Sequence, residues 1–344
     1  MQDIVVAISL DTRVKPRETL LPLILTDDME LPYQEFSSAD EIGEEYGLTT
    51  KVYACAKALF GQTTIASGAI AKCAVIGVEE NATDTEVVAT LDDLRTEHDD
   101  WYFLIPVVAT MARIQVLAEW TERTLLSDVE IRQGAIESEK LLVAQISDVN
   151  FYNTRGLSVV VYNPDPDTYA HAAWVGRTAP YFPEATTWKW KELYGIKPCG
   201  LSGLALQTLL ERNINAYITN NKRNYMSDGV CSDGEFIDSV IARWQIKQTL
   251  REGLTAYLVD TPTVPYDNDG FAQIGAVVHA QLSAAVGYGV ILPGFKLTIP
   301  TREESTREQA ALRRMPPILW QATLRGSVHG VEIKGTLTVD LLTT

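Results

Sequence analysis

The chain has 344 residues, of which 46% are hydrophobic and 22% are charged, and its formal net charge is −16. This length suggests two domains, or one domain with an insertion, and is sufficient to bury a sizeable core. The acidic balance argues against wrapping nucleic acid, because that function needs clustered lysine and arginine to displace counterions. No apolar run reaches the roughly 18 residues that would span a bilayer, and the N-terminus lacks the pattern of a secretory signal. We therefore expect neither nucleic-acid binding nor direct membrane insertion.

The four cysteines and four histidines do not form recognisable sites. No CxxC pair occurs, and Cys55 and Cys73 stand among apolar residues, which is typical of small core side chains rather than of a disulfide framework. The histidines are scattered without the spacing of metal ligands: His98, His171, His279 and His329. We expect no metal and no cofactor.

The N-terminal segment predicts a strand that stands apart from the main pattern. Residues 3–10 are short, apolar and β-prone, and Ile4, Val6 and Ile8 alternate along them. A stiff, charged connector follows, formed by Arg13, Lys15, Pro16 and Arg17.

Strands and helices then alternate over residues 20–179. Ser38 and Glu41 form a capping box that opens the first helical stretch, which we expect to break at Gly47. We predict strands at 21–25, 72–78, 101–107, 140–146 and 157–162, and further helices at 85–96, 112–124 and 168–179. Continuous apolar strands alternating with helices indicate an α/β fold, with mixed sheets covered by helices on both faces.

The pattern changes near residues 181–200, where Pro183, Pro198 and Gly200 punctuate the chain, so we place a domain boundary there. The remainder predicts a smaller α+β domain. Its predicted helices are 202–213, 234–258 and 269–287, and its predicted strands are 216–219, 295–299, 318–324 and 331–339.

The final predicted strand alternates cleanly, with Val331, Ile333, Leu337 and Val339 on one face. The chain thus begins and ends with strands outside the compact pattern. Free strand edges invite pairing, which suggests that the terminal strands join the sheets of neighbouring subunits. The alternative is that the two termini pair within one subunit.

Three segments superficially suggest chemistry. Ser202 follows Gly200 but lacks the GxSxG spacing of a nucleophile elbow, so we interpret it as a helix N-cap. Residues 267–270 (DNDG) begin like a calcium loop, but the twelfth position is Val278 instead of glutamate, and we interpret Asp269 as a helix N-cap. The loop 163–167 is interpreted as a solvated turn. No phosphate-binding glycine loop occurs and no catalytic constellation assembles, so we predict that the chain is not an enzyme.

The C-terminal half carries an ordered series of motifs. In chain order they are WKWKELYGI (188–196), a leucine-rich helix ending in ERNINAYI (211–218), SDGEFID (232–238), TPTVPYDNDG (261–270), RMPPI (314–318), ATLRGSVH (322–329) and the alternating strand 331–339. This order resembles the contractile-tail sheath family of phage tails and tailocins. The resemblance covers roughly residues 186–344, whereas residues 20–185 match only in being α/β.

The resemblance implies a structural subunit that polymerises helically around an inner tail tube. Its terminal arms would lend strands to neighbours, and contraction would drive the tube through a target cell envelope. The implied partners are the chain itself, the tube protein, and baseplate and tail terminator proteins, within a virion tail assembled in the host cytoplasm. The corresponding parts are an arm and linker (1–19), a variable α/β domain (20–190), a sheath-like domain (191–330) and a second arm (331–344).

Two further sets of residues are assigned as hypotheses. Arg243, Lys247 and Arg251 recur every four residues on one helix face and are candidates for contacting an acidic tube, the alternative being an ordinary solvated face. The candidate hinges are Arg13, Lys15, Pro16, Gly326 and Gly330. The competing functional hypothesis is an α/β enzyme with an unrecognised active site.

Overall fold

The computed structural model describes residues 20–63, 68–107, 109–130 and 139–335. An eight-stranded mixed sheet forms its centre, in the order β2-β3-β1-β4-β5-β6-β7-β8. The strands are β1 (Leu21–Thr26), β2 (Leu31–Phe36), β3 (Cys73–Gly77), β4 (Trp101–Pro106), β5 (Leu141–Ile146), β6 (Ser158–Tyr162), β7 (Asn215–Asn220) and β8 (Arg223–Met226).

The six inner strands of this sheet run parallel, and the two edge strands, β2 and β8, run antiparallel to their neighbours. Every residue of β1, β3, β4 and β6 is buried, because parallel strands are covered by helices on both faces. Successive side chains of a strand point to opposite faces of the sheet and so belong to different hydrophobic clusters. Ile24 of β1 lies in one cluster, and Leu23 and Leu25 lie in the other.

Helices cover both faces of the sheet, which confirms the predicted α/β class. One face packs α1 (Ala39–Tyr46), α2 (Lys51–Phe60) and α5 (Ala170–Thr178), and the other packs α3 (Asp84–Glu97), α4 (Met111–Glu130) and α6 (Gly203–Glu211). The predicted break between the first two helices occurs at Gly47, whose φ of 101° is readily adopted by glycine.

The remaining elements form a smaller α+β unit. They are α7 (Ile237–Asp260), α8 (Asn268–Gly287), β9 (Lys296–Thr298), α9 (Arg307–Ala311) and β10 (Leu319–Gln321). Helices α7 and α8 enclose a third, smaller hydrophobic cluster, which includes Ile246, Val278, Leu282 and Ile291. Among the described residues, no helix combines the length and apolarity needed to cross a bilayer.

Several local expectations were wrong. Strands β2 and β8 were not predicted. The N-cap of α8 is Asp267, whose side chain accepts a hydrogen bond from the Gly270 amide at 2.9 Å, so Asp269 lies in the first turn instead. Only half of the predicted capping box forms: Ser38 is the N-cap of α1 and accepts from the Glu41 amide at 3.3 Å, but the Glu41 carboxylate accepts from the Ser37 amide and not from that of Ser38. The strand predicted at 318–324 is only three residues long, and residues 331–335 are in no strand.

The sheet also runs across the predicted boundary at residue 190, because β7 pairs with β6 in parallel. Side chains from both sides of that boundary, including Trp174 and Trp188 on one and Tyr217 and Ile237 on the other, share one cluster. Whether the chain folds as units divided at residue 190 stays a prediction.

Candidate assembly surfaces

Among the described residues, a two-stranded ribbon formed by β9 and β10 is strongly exposed to solvent. Strands β9 and β10 pair antiparallel with Trp320 opposite Leu297, and within the described residues neither strand has a partner on its other edge. All of β10 is exposed, with Leu319 at 64% and Trp320 at 41% of full exposure. Two-stranded sheets are marginal in water, and an open apolar edge is a template for another strand.

Helix α8 holds the ribbon on the body. Ile299, just after β9, lies over Gly275 of α8, where an added Cβ would stand only 2.2 Å from the Ile299 Cδ1 atom. Leu297 packs against the third hydrophobic cluster. One part of the ribbon is thus fixed to a rigid helix while its edges remain open.

The C-terminal segment is anchored once before it leaves the body. His329 Nε2 is 2.9 Å from Thr187 Oγ1, and its ring meets that of Phe236 edge-on at 4.6 Å. Burial raises the pKa of the neighbouring Asp238, and the charge of His329 opposes this shift. Beyond the anchor, Val331 and Ile333 are 79% and 88% exposed.

The other predicted arm and hinge residues are divided between described and undescribed parts of the chain. Gly326 adopts a φ of 60° and lies between the His329 anchor and Arg325, whose amide donates to the Val290 carbonyl at 3.1 Å. Gly330 follows the anchor directly. The predicted residues that lie outside the described ranges are Ile4, Val6, Ile8, Arg13, Lys15, Pro16, Leu337 and Val339.

The predicted cationic stripe lies on α7, but two of its members contact this chain's own carboxylates. Arg243 pairs with Glu235 at 3.2 Å, and Lys247 pairs at 3.2 Å with Glu139, which is only 3% exposed. Arg251 is half-buried and makes no ion pair among the described residues. The sequence spacing located the stripe but could not reveal its tertiary partners.

Sequence reasoning missed a second cationic surface between β9 and β10. Arg302, Arg307, Arg313 and Arg314 are exposed and form no ion pair within the described part of the chain; we call them the arginine loop. Tyr266 organises it, since its hydroxyl donates to the Arg314 carbonyl at 2.8 Å and its ring lies 4.9 Å from the Arg302 guanidinium. The available signal was local composition: residues 288–335 contain seven lysines and arginines against four acidic residues in an otherwise acidic chain.

The serine, aspartate and cysteine residues that could suggest chemistry occupy helix caps or the hydrophobic core. Ser202 occupies the N-cap position of α6, although its side chain makes no capping hydrogen bond. Asp165 caps a 3₁₀ turn by accepting from the Asp167 amide at 3.1 Å. All four cysteines are buried free thiols, and burial raises their pKa values. In the described ranges, no three histidine, cysteine or acidic side chains gather as a metal site would require.

No protein-family model matches the sequence, and no curated protein matches it. Solved structures do match. A chain of the anti-feeding prophage baseplate aligns with a TM-score of 0.67 at 13% identity, over 98% of this chain and 99% of that one. The contracted helical sheath of the anti-feeding prophage gives 0.66 at 11% identity, over 98% and 100%. The chain has the contractile tail sheath fold.

A sheath tail protein from Listeria innocua also shares this sheath fold, with a TM-score of 0.56 at 10% identity over 90% of this chain and 96% of that one. The sheath fold therefore covers nearly the whole chain, including the α/β region that carried no motif. The resemblance inferred from the C-terminal motifs is confirmed at the level of fold.

Proposed function

We propose that this chain is a structural, non-enzymatic subunit of a contractile tail sheath. It would polymerise around an inner tail tube, exchange terminal strands between subunits, and contract to drive the tube through a target cell envelope. The observation that carries the proposal is the β9–β10 ribbon, whose two outer edges lack partners among the described residues in a chain with the sheath fold.

The ribbon is proposed as the acceptor of the arms. A strand added to each edge would convert a marginal two-stranded sheet into a four-stranded one. It would also cover Leu319 and Trp320, whose exposure is otherwise unfavourable.

The two terminal arms are proposed as the donors. The C-terminal arm leaves the body after the His329 anchor with Val331 and Ile333 exposed, and the N-terminal arm would present Ile4, Val6 and Ile8. A nine-residue strand spans roughly 30 Å, which reaches an adjacent subunit. Each interchain backbone hydrogen bond contributes about 1 kcal/mol net, and the bonds of one arm are repeated along the polymer.

Contraction is proposed as a rigid-body rearrangement that keeps the arms paired. The connectors would absorb the rotation, with Gly326, Gly330 and the segment around Arg13, Lys15 and Pro16 as hinges. The further partners would be baseplate and terminator proteins at the ends of a tail assembled in the host cytoplasm.

Strand exchange is tested by deletion. Removing residues 1–14 or 331–344 should abolish polymers in negative-stain microscopy while leaving soluble chains with the native circular dichroism spectrum. Polymers that persist after either deletion would show that strand exchange is not the link.

Crosslinking tests the acceptor more sharply. Chains carrying Ile333→Cys are mixed with chains carrying Trp320→Cys, and oxidation should yield disulfide-linked heterodimers in assembled material. The native cysteines are buried and give little background. Glu97→Cys, on an exposed residue far along the chain from the ribbon, replaces Trp320→Cys in the matched control.

Tube contact is proposed for the cationic surfaces of the C-terminal unit. The original candidates were Arg243, Lys247 and Arg251, but reversing Lys247 also leaves the buried Glu139 without its partner, so Arg251→Glu is the cleaner change on α7. The arginine loop offers exposed cations that form no ion pair among the described residues.

Charge reversal separates the two surfaces. Arg302→Glu with Arg313→Glu on the arginine loop, and Arg251→Glu on α7, are compared for assembly on purified tubes in a pelleting assay. Loss of tube-bound sheath, with tube-free polymer intact, identifies the contacting surface. Normal assembly on tubes by both variants would contradict the proposal.

A further inference from the structure

Two cationic side chains converge beside the Trp-Lys-Trp-Lys segment. Arg177 lies in the last turn of α5, and Tyr181 follows it by four residues in the 3₁₀ turn that continues the helix, so the two lie on one side. Lys191 lies over the Tyr181 ring with its Nζ atom 4.7 Å from the ring centroid. The same Nζ atom donates to Thr186 Oγ1 at 2.8 Å.

Within the described residues, neither cation has an acidic partner. No carboxylate oxygen of the described residues lies within ion-pair distance of Arg177 or Lys191. The Arg177 Nε atom is buried without any hydrogen-bond acceptor, and its Nη1 atom makes only a long contact of 3.4 Å to the Thr63 carbonyl. The described residues offer the Lys191 ammonium a single hydrogen-bond acceptor, Thr186 Oγ1, although the group carries three hydrogens.

The neighbouring lysine of the segment, unlike Lys191, has a counter-ion. Lys189 pairs with Asp228 at 2.9 Å. Lys191, two residues later, is partly withdrawn from water and faces another cation instead. Burial and the charge of Arg177 lower the pKa of Lys191 to about 8, which is the direction expected for two uncompensated positive charges.

We propose that Arg177 and Lys191 form a binding site for an oxyanion, a carboxylate or phosphate group. The guanidinium supplies planar N–H donors suited to a two-oxygen group, and the ammonium supplies a compact charge beside it. Both side chains are half-buried, so an anion there would be partly desolvated and strongly held. The anion is either free in solution or the side chain of an aspartate or glutamate from a second copy; the second source rests on the proposed polymer, whereas the first does not.

Phosphate binding by the full-length chain is the first test. Thermal unfolding is measured with inorganic phosphate and with chloride at equal ionic strength and pH. At 10 to 100 times the dissociation constant, phosphate should raise the midpoint of the wild type by roughly 2–4 °C. Lys191→Met and Arg177→Met should lose the response. Lys189→Met, which removes the ion-paired neighbour, should keep it.

Differential acylation is a second readout that needs no variant. Near pH 8, the Lys191 amine should react with an acylating reagent faster without phosphate than with it, because a bound anion favours the protonated form. The reactivity of Lys189, followed by mass spectrometry in the same sample, should not change.

Polymerisation distinguishes the two sources. If phosphate has no effect but Lys191→Met and Arg177→Met reduce assembly, while Lys189→Met and Lys191→Arg do not, the anion is a carboxylate of a neighbouring copy. If phosphate neither stabilises nor protects, and both methionine variants assemble normally, the proposal is overturned. If the arm deletions abolish assembly but phosphate still binds, the anion site exists independently of strand exchange.

Discussion

The central sheet and the β9–β10 ribbon differ in how far the described residues bury their side chains and pair their strand edges. Four strands of the sheet are buried at every residue, whereas no residue of β9 or β10 is buried. The sheet has helices on both faces, and the ribbon has one supporting helix and open edges. The described residues thus pack the sheet on both faces, whereas they leave the outer edges of the ribbon unpaired.

The same contrast appears in the charged side chains. In the central region most arginines are ion-paired, as in Arg113 with Asp84 and Arg155 with Glu122. The arginine loop beside the ribbon has no such pairs within the described residues. Unsatisfied apolar edges and unsatisfied charges thus coincide in one part of the molecule, which is the pattern of a surface that binds other proteins.

The largest expected effect breaks the packing of the central region. Gly176→Ala would place a Cβ 1.9 Å from the Leu59 carbonyl oxygen, a backbone atom, so α5 and α2 must separate. We expect a loss of about 2–3 kcal/mol in the free energy of unfolding, measured by urea denaturation. Gly330→Ala, where no atom lies within 4 Å of the new Cβ, is the regional control and should change stability by less than about 0.5 kcal/mol. If the two variants lose equal amounts of unfolding free energy, the central region is not packed more tightly than the C-terminal segment.

A smaller, pH-dependent effect comes from the buried His171. Its Nε2 lies 3.0 Å from the Pro106 carbonyl oxygen and Nδ1 has no partner; burial lowers its pKa to about 4, below the unfolded value of about 6.5. The stability linked to this group is therefore fully present above pH 6.5 and is lost as the pH falls. At pH 4 the loss in the free energy of unfolding is about 3 kcal/mol.

His171→Phe should flatten the dependence of the unfolding free energy on pH between 4 and 6.5, whatever it does to stability at neutral pH. His279→Gln changes an exposed ring in the C-terminal unit and serves as the matched control. An unchanged slope in His171→Phe would mean that burial in the folded chain does not lower the pKa of the His171 ring.

The smallest effect on folding is expected at the ribbon. Leu319→Ser with Trp320→Ser removes exposed apolar groups, so the unfolding free energy should change by less than about 0.5 kcal/mol. Polymer formation, followed by sedimentation, should nevertheless fall sharply. If the double variant loses several kcal/mol in denaturation, the ribbon belongs to the subunit's own core and the regional comparison is wrong.

Elements that depend on signals from adjacent residues were predicted well, whereas elements that depend on distant segments were not. Strands such as Trp101–Pro106 and helices such as Asp84–Glu97 were predicted to within about two residues, because continuous apolar runs and caps are local signals. Strands β2 and β8 were missed because they are edge strands without a continuous apolar run, since polar residues such as Gln34, Arg223 and Asn224 interrupt them. Their pairing depends on neighbours distant in the sequence.

The sequence by itself determined the α/β class, the cores of the long elements and, through the order of its C-terminal motifs, the resemblance to sheath proteins. Only the tertiary structure decided that β7 lies beyond the predicted boundary yet joins the central sheet, and that Lys247 and Arg243 contact the chain's own carboxylates. It also decided that Arg177 and Lys191 have no acidic partner among the described residues. The physical reason is that hydrophobic periodicity is written in adjacent residues, whereas the partner of a charge or of a strand edge is fixed by packing between segments far apart in the chain.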